Sequence, residues 1–143
     1  MQPVKTVSGS QRQLLIPAII SLSFLLLTAC STTADKVDRL DQTLSAYGSA
    51  LRWAHYDTAY SFHKWDAEGQ PAIPAYLKSI KVTNYNVANR TFDEKSMTAR
   101  QIAIIKYFNE DDARERTLED HQIWKYFPDQ DRWYLTSMPP DFK

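Results

Sequence analysis

Six side chains stand out as candidates for acid–base chemistry: His55, Asp57, Tyr60, His63, Asp120 and His121. A general base needs a tuned pKa and a neighbouring donor that stabilises developing negative charge. Asp120 shares strand parity with Leu118, Gln122 and Trp124, so on an inward face it would be a carboxyl buried beside aromatics, a setting that shifts a pKa. On the opposite parity Glu119 and His121 point inward with Ile123 instead. Asp57, Asp120 and His121 are the catalytic candidates, and each has a plainer role beside it. Asp57 stands where a short helix begins and reads as its N-cap. His55 and His63 read as residues of surface turns, and His121 as the partner of a side chain on a neighbouring strand. Trp53, Trp124 and Trp133 read as core and sheet packing. Three histidines without i,i+4 spacing and a single cysteine make no metal set, and no cofactor is expected. G-x-S-x-G, H-E-x-x-H and a Gly-rich phosphate loop do not occur, which removes the common hydrolase and nucleotide readings.

The remaining reactive group is Cys30, the one cysteine, so no intrachain disulfide can form. It follows a polar start with Lys5 and Arg12 and an apolar run from Leu14 to Leu27, the outline of a signal peptide. Fourteen helical residues would cover roughly 21 Å, short of the roughly 30 Å hydrocarbon core, which disfavours a permanent span. Leu27-Thr28-Ala29-Cys30 resembles the lipobox of bacterial lipoproteins. That resemblance implies cleavage before Cys30, a diacylglyceryl thioether on its sulfur and acylation of the new amine. One acyl chain binds a bilayer marginally, at about 0.8 kcal/mol per buried methylene, whereas two or more hold stably. Ser31 rather than Asp follows the cysteine, and by the sorting rule of enterobacterial lipoproteins this implies the outer membrane, facing the periplasm.

Removing the 29 residues before Cys30 from 143 leaves 114, enough for one domain with a core. Lys5 and Arg12 leave with the signal, so 17 basic residues become 15 against 17 acidic, a formal charge of −2. No clustered basic face points to nucleic acid. The expected division is a signal peptide at 1–29, a lipidated terminus and spacer at 30–34, and a single domain at 35–143. Val37, Leu40, Leu44, Tyr47 and Leu51 recur at spacings of three and four, predicting a helix from about Lys36 to Trp53, weakened at Gly48 by about 1 kcal/mol relative to Ala. A short helix after Asp57 buries Tyr60 or Phe62, and Gly69, Pro71 and Pro74 mark a loop. The period then changes to two. Ile80 to Ala88 reads as a strand of single parity, Met97 to Phe108 and Arg114 to Phe127 as longer strands, and Trp133 to Thr136 as a last short one, with Pro128 to Asp131 turning the chain. This is α+β, N-terminal helices on one face of a curved antiparallel sheet of three or four strands.

Helix 1 ending in Arg52-Trp53, the turn His55-Tyr56-Asp57, and Gln122-Ile123-Trp124-Lys125-Tyr126 followed by Trp133-Tyr134-Leu135 resemble small proteobacterial lipoproteins with an NTF2-like (cystatin-like cone) domain. The resemblance implies a pocket between sheet and helices, which some members use as isomerases, dehydratases or hydrolases through an Asp, His or Tyr. The residues themselves favour a binding or structural role. The long strands carry apolar residues on both faces, and two helices can cover only one. The other face is then left for a homodimer partner, an envelope protein or a ligand, while acylated Cys30 holds the lipid bilayer. Replacing Cys30 with Ala is expected to release the protein from membrane fractions or block its processing, as fractionation and mass measurement would show. Unchanged membrane retention would end the lipid reading.

Overall fold

Thr32 and Asp35 satisfy each other's backbone and so start the first helix. The Thr32 Oγ1 accepts from the Asp35 N–H at 3.3 Å, and the Asp35 carboxylate accepts from the Thr32 N–H at 2.9 Å, a reciprocal capping box. In a computed structural model of the chain, which describes residue 3 and residues 32–142, α1 is Thr33–Arg52. Thr33 and Ala34, expected as spacer, therefore belong to the first turn. Leu27, Thr28, Ala29 and Cys30 and the apolar run before them lie outside the described residues. Thr32–Lys143 is one compact unit. No described helix is long and apolar enough to cross a membrane.

The spacing of Leu40, Leu44, Tyr47 and Leu51 puts them on one stripe of α1, and all four are buried, with Gly48 and Ala50 widening the stripe. Trp53 caps the C-terminus of α1 through its backbone and leaves its indole 71% exposed, so it is not the packing residue its type implied. The second helix, α2, is Tyr56–Tyr60. Its N-cap is His55, which makes no side-chain cap bond. Asp57 lies one residue inside, so it is an acid in the first helical turn rather than the cap, and it favours the helix only through the N-terminal partial charge. The expected loop follows, ending in a 3-10 turn at Ala75–Ser79.

The sheet is an open one of four antiparallel strands in the order β1-β2-β3-β4, with α1 packed on one face: an α+β domain. The strands are β1 Ile80–Asp93, β2 Thr98–Asn109, β3 Arg116–Phe127 and β4 Arg132–Leu135. β2 and β3 alternate cleanly. Ala99, Gln101, Ala103, Ile105 and Tyr107 face the helix from β2, and Asp120, Gln122, Trp124 and Tyr126 from β3.

β1 departs from the single parity expected of it, and it runs five residues beyond Ala88. Its register slips between Val82 and Asn84 and again between Val87 and Asn89. Each slip leaves one residue unpaired, Thr83 and then Ala88, and moves the next side chains to the other face. The inward set is thus Ile80 and Val82, then Tyr85 and Val87, then Arg90 and Phe92, opposite Asn109, Tyr107, Ile105, Ala103, Gln101 and Ala99.

Aromatic rings fill the space between α1 and the sheet. Tyr47 meets Trp124 edge-on at 5.3 Å and Phe62 at 5.9 Å. The β3–β4 turn fastens the start of α1: Asp131, left-handed at φ 46°, holds Arg39 at 2.5 Å and accepts from the Tyr126 hydroxyl, and the Trp133 indole donates to the Lys36 carbonyl at 2.8 Å. The edge of β4 is covered by the segment after α2, through Leu135 N–H to Phe62 O and Lys64 N–H to Leu135 O, both 2.8 Å.

Gly48 has a specific reason to lack a side chain. A Cβ there would stand 2.8 Å from Tyr85 Cε1, inside any normal contact. Gly48→Ala is expected to lower stability by about 1 kcal/mol in urea unfolding, because the overpacking penalty of about 1–3 kcal/mol exceeds the gain in helix propensity of about 1 kcal/mol. A variant more stable than the parent would show that the Tyr85 ring has room to move.

Candidate functional site

Under α1 the sheet presents polar side chains where a core would ordinarily be apolar. Antiparallel register places Arg90, Gln101 and Gln122 in one row across β1, β2 and β3, and Val87, Ala103 and Asp120 in the next. Gln101 and Gln122 are 2% and 1% exposed, so their amides must find partners inside the protein. They find each other and their neighbours. Gln101 Nε2 donates to Gln122 Oε1 at 3.0 Å and to the Tyr85 hydroxyl at 3.2 Å. Gln122 Nε2 donates to the Tyr85 hydroxyl at 2.9 Å and to Asp120 Oδ2 at 2.7 Å, and Gln122 Oε1 accepts from the Trp124 indole at 3.1 Å. The row continues outward: Arg90 Nε donates to Gln101 Oε1 at 3.1 Å, and Arg90 Nη1 meets Asp41 of α1 at 2.5 Å. A continuous hydrogen-bonded chain thus runs from Asp41 at the surface to Asp120 inside.

Asp120 takes the inward parity, the first of the two alternatives the sequence offers. Burial pushes its carboxyl pKa up, against the opposing pull of the Gln122 amide and His121. Burial likewise pushes the Tyr85 phenol up to about 12 and the Tyr47 phenol well above its ordinary value, the nearby Asp120 adding to both. The Tyr47 hydroxyl has no hydrogen-bond partner, although the residue is 0% exposed. A weak acid near one unspent phenol, that of Tyr47, is suited to holding a proton, but a substrate needs space. Asp120 lines none of three clefts that surround the sheet.

The other candidates are elsewhere. Asp57 and His55 are exposed around the start of α2. His121 faces outward and pairs with Glu119 of its own strand, Nε2 to Oε1 at 2.8 Å, not with a neighbouring strand as expected. The two residues are i and i+2, which a strand places on the same face. With Asn89, Thr91, Arg100, Ile102 and Ile123, His121 lines a groove of about 440 Å³ on the outer face.

His63 is not a surface residue. It is 4% exposed and packs against Tyr47, Tyr60 and Trp65, because the segment that closes the β4 edge turns it inward. Its Nδ1 lies 3.2 Å from the Ser137 carbonyl, which can only accept, so Nδ1 carries the proton and Nε2 is left without a partner. Protonating Nε2 would bury a charge, and burial therefore lowers the pKa to about 4. Reading from sequence missed this ring and also Tyr85, Arg90 and Gln101. The signal for His63 was its aromatic setting, Tyr60, Phe62 and Trp65. The signal for Gln101 was an amide at the same parity as Ala99 and Ala103.

No family model matches the chain, and comparison with curated proteins and with solved structures finds no match. Among the described residues, no group of three or more His, Cys, Asp and Glu is placed to hold a metal ion.

The two buried titratable groups set opposite pH dependences. The folded pKa of His63 is depressed, so the unfolded chain binds its proton more readily, and stability is lost as pH falls from 6.5 through about 4. The folded pKa of Asp120 is raised, so its contribution is present below 3.8 and lost as pH rises through the folded value. Urea midpoints measured against pH are expected to flatten on the acid side in His63→Phe and to rise at neutral pH in Asp120→Asn. Parallel profiles for parent and variants would show that neither group is buried in its uncharged form.

Proposed function

We propose that this is a lipid-anchored binding protein of the cell envelope, held through acylated Cys30 at the outer membrane and facing the periplasm, which engages a protein partner through the outer face of its sheet. The observation that carries the reading is the unequal treatment of the two faces. The inner face is filled by α1, by Tyr47 and Trp124, and by the amide chain of Gln101 and Gln122. The outer face sets Ile102, Ile104 and Ile123 side by side, half-buried, among Arg100, Lys106, Glu119 and His121, with the 440 Å³ groove beside them. An apolar centre ringed by charges of both signs has the layout of a recognition surface. A second copy of the chain is the simplest such partner, since a two-fold pairing needs one self-complementary patch.

The likeness to NTF2-like lipoproteins is supported by the helix pair leading into the antiparallel sheet. A pocket enzyme of that type is the second reading, and the buried Asp120 with its raised pKa favours it. It ranks second because Asp120 is bonded into the packed interior and Asp57 and His121 are far apart in role: one on a helix surface, the other on the outer face.

Cross-linking in native membranes is expected to give a discrete adduct of this protein, and Ile104→Glu is expected to abolish it while leaving the far-ultraviolet circular dichroism unchanged. A protein that remains monomeric and yields no adduct would overturn the reading.

A further inference from the structure

A third surface feature lies between α1 and β1, away from the outer face. Ser45 and Ser49 stand one helical turn apart on α1, with Arg52 three residues on. Together they form one wall of a cleft of about 240 Å³, and Tyr85, Val87 and Arg90 of β1 form the other, with Gly48 and Gln101 between. Gly48 lets Tyr85 come against the helix within this cleft. We propose that it binds a phosphate group.

The donor set is what points to this anion. Among the described residues the Arg52 guanidinium and the hydroxyls of Ser45 and Ser49 have no hydrogen-bond or ion-pair partner. Arg90 is held in place from behind, its Nε bonded to the buried Gln101, which is in turn fixed by Gln122 and Tyr85. Arginine recognises oxyanions through paired N–H donors, and Arg52, which makes no bond in the fold, has all of its donors available. Donors line both walls. A carboxylate offers two coplanar oxygens, whereas phosphate offers oxygens in several directions and can meet both walls at once.

No carboxylate lines the cleft itself. Asp41 lies one helical turn before Ser45 on the same face of α1 and engages Arg90 Nη1 at 2.5 Å, so it competes with a ligand for one of the two arginines. The C-terminal end of α1, which carries partial negative charge, also opposes an anion. Its last carbonyls are occupied: Ser49 O, Leu51 O and Ala50 O accept from the N–H groups of Trp53, Ala54 and His55. A guanidinium and two hydroxyls that make no other bond stand against a dipole whose last carbonyls are already bonded.

The phosphate could belong to a lipid headgroup or to a soluble molecule, and two probes separate these. The full chain in non-ionic detergent micelles is titrated calorimetrically with inorganic phosphate and, separately, with a short-chain phosphatidylglycerol. Saturable binding of either probe is expected. Binding of both identifies a soluble phosphate compound as sufficient, and binding of the lipid alone identifies a headgroup. Arg52→Gln is expected to weaken the bound probe about tenfold, since it removes a charged donor without touching any partner in the fold. Asp41→Asn is expected to strengthen it severalfold by freeing Arg90, a gain that unfolding could not mimic. No binding of either probe at millimolar concentration, or binding that neither substitution alters, overturns the proposal.

Discussion

The two unpaired residues of β1, Thr83 and Ala88, are the constraint on which the inner face depends. In a strand of constant parity, Ile80 and Val82 facing the helix would commit Asn84, Asn86 and Ala88 to the same side. The first slip replaces them with Tyr85 and Val87, and the second brings Arg90 and Phe92 inward. Only with both slips does the Tyr85 hydroxyl arrive above Gln101 and Gln122 while Arg90 pairs across from Gln101. Bulges also add local twist, which bends a long edge strand around the helix that packs on it.

That geometry explains how a domain of this size tolerates three polar side chains at the centre of its sheet. An unsatisfied buried amide costs about 1–3 kcal/mol, so Gln101 and Gln122 would be a burden if they pointed inward alone. Here each fills the other's needs, and Tyr85, Trp124, Asp120 and Arg90 take up what remains. The interaction is collective, and so is its steric requirement. Gly48 must be bare for Tyr85 to reach the amides, and the helix accepts a poor helix former as the consequence. The far end of α1 is held by different chemistry, with Asp131 and Trp133 from the β3–β4 region binding Arg39 and the Lys36 carbonyl.

Function divides along the same lines. The interior is organised for persistence, with an amide chain and rings in edge-on contact. The recognition proposed above uses surface alone: the isoleucine centre on the outer face, and the arginine-lined cleft at the side. Neither requires the domain to open. With the membrane anchoring proposed above, surfaces that are ready without rearrangement favour partners that come within reach of the lipid.

Much of this architecture was legible in the chain. The heptad-like spacing from Leu40 to Leu51 gave the buried stripe of α1, and alternation on β2 and β3 gave both strands while leaving open which face Asp120 takes. Such patterns survive translation into structure because they are local: 3.6 residues per turn and two per pleat hold wherever the backbone is regular. The apolar run, the basic start and Leu27-Thr28-Ala29-Cys30 are likewise a reading from sequence alone. What the tertiary structure decided lies where regularity breaks or where distant segments meet. Nothing within β1 announces its slips, since they arise from matching its length and twist to β2. Asp57 lost the cap to His55 because the tight turn after Trp53 started α2 two residues sooner. His63 went inside because the β4 edge needed a covering segment, and Trp53 stayed outside because α1 ended before the core did. Periodicity is set by the backbone and can be read from one segment, whereas burial of a single polar side chain is set by what packs against it from elsewhere in the chain.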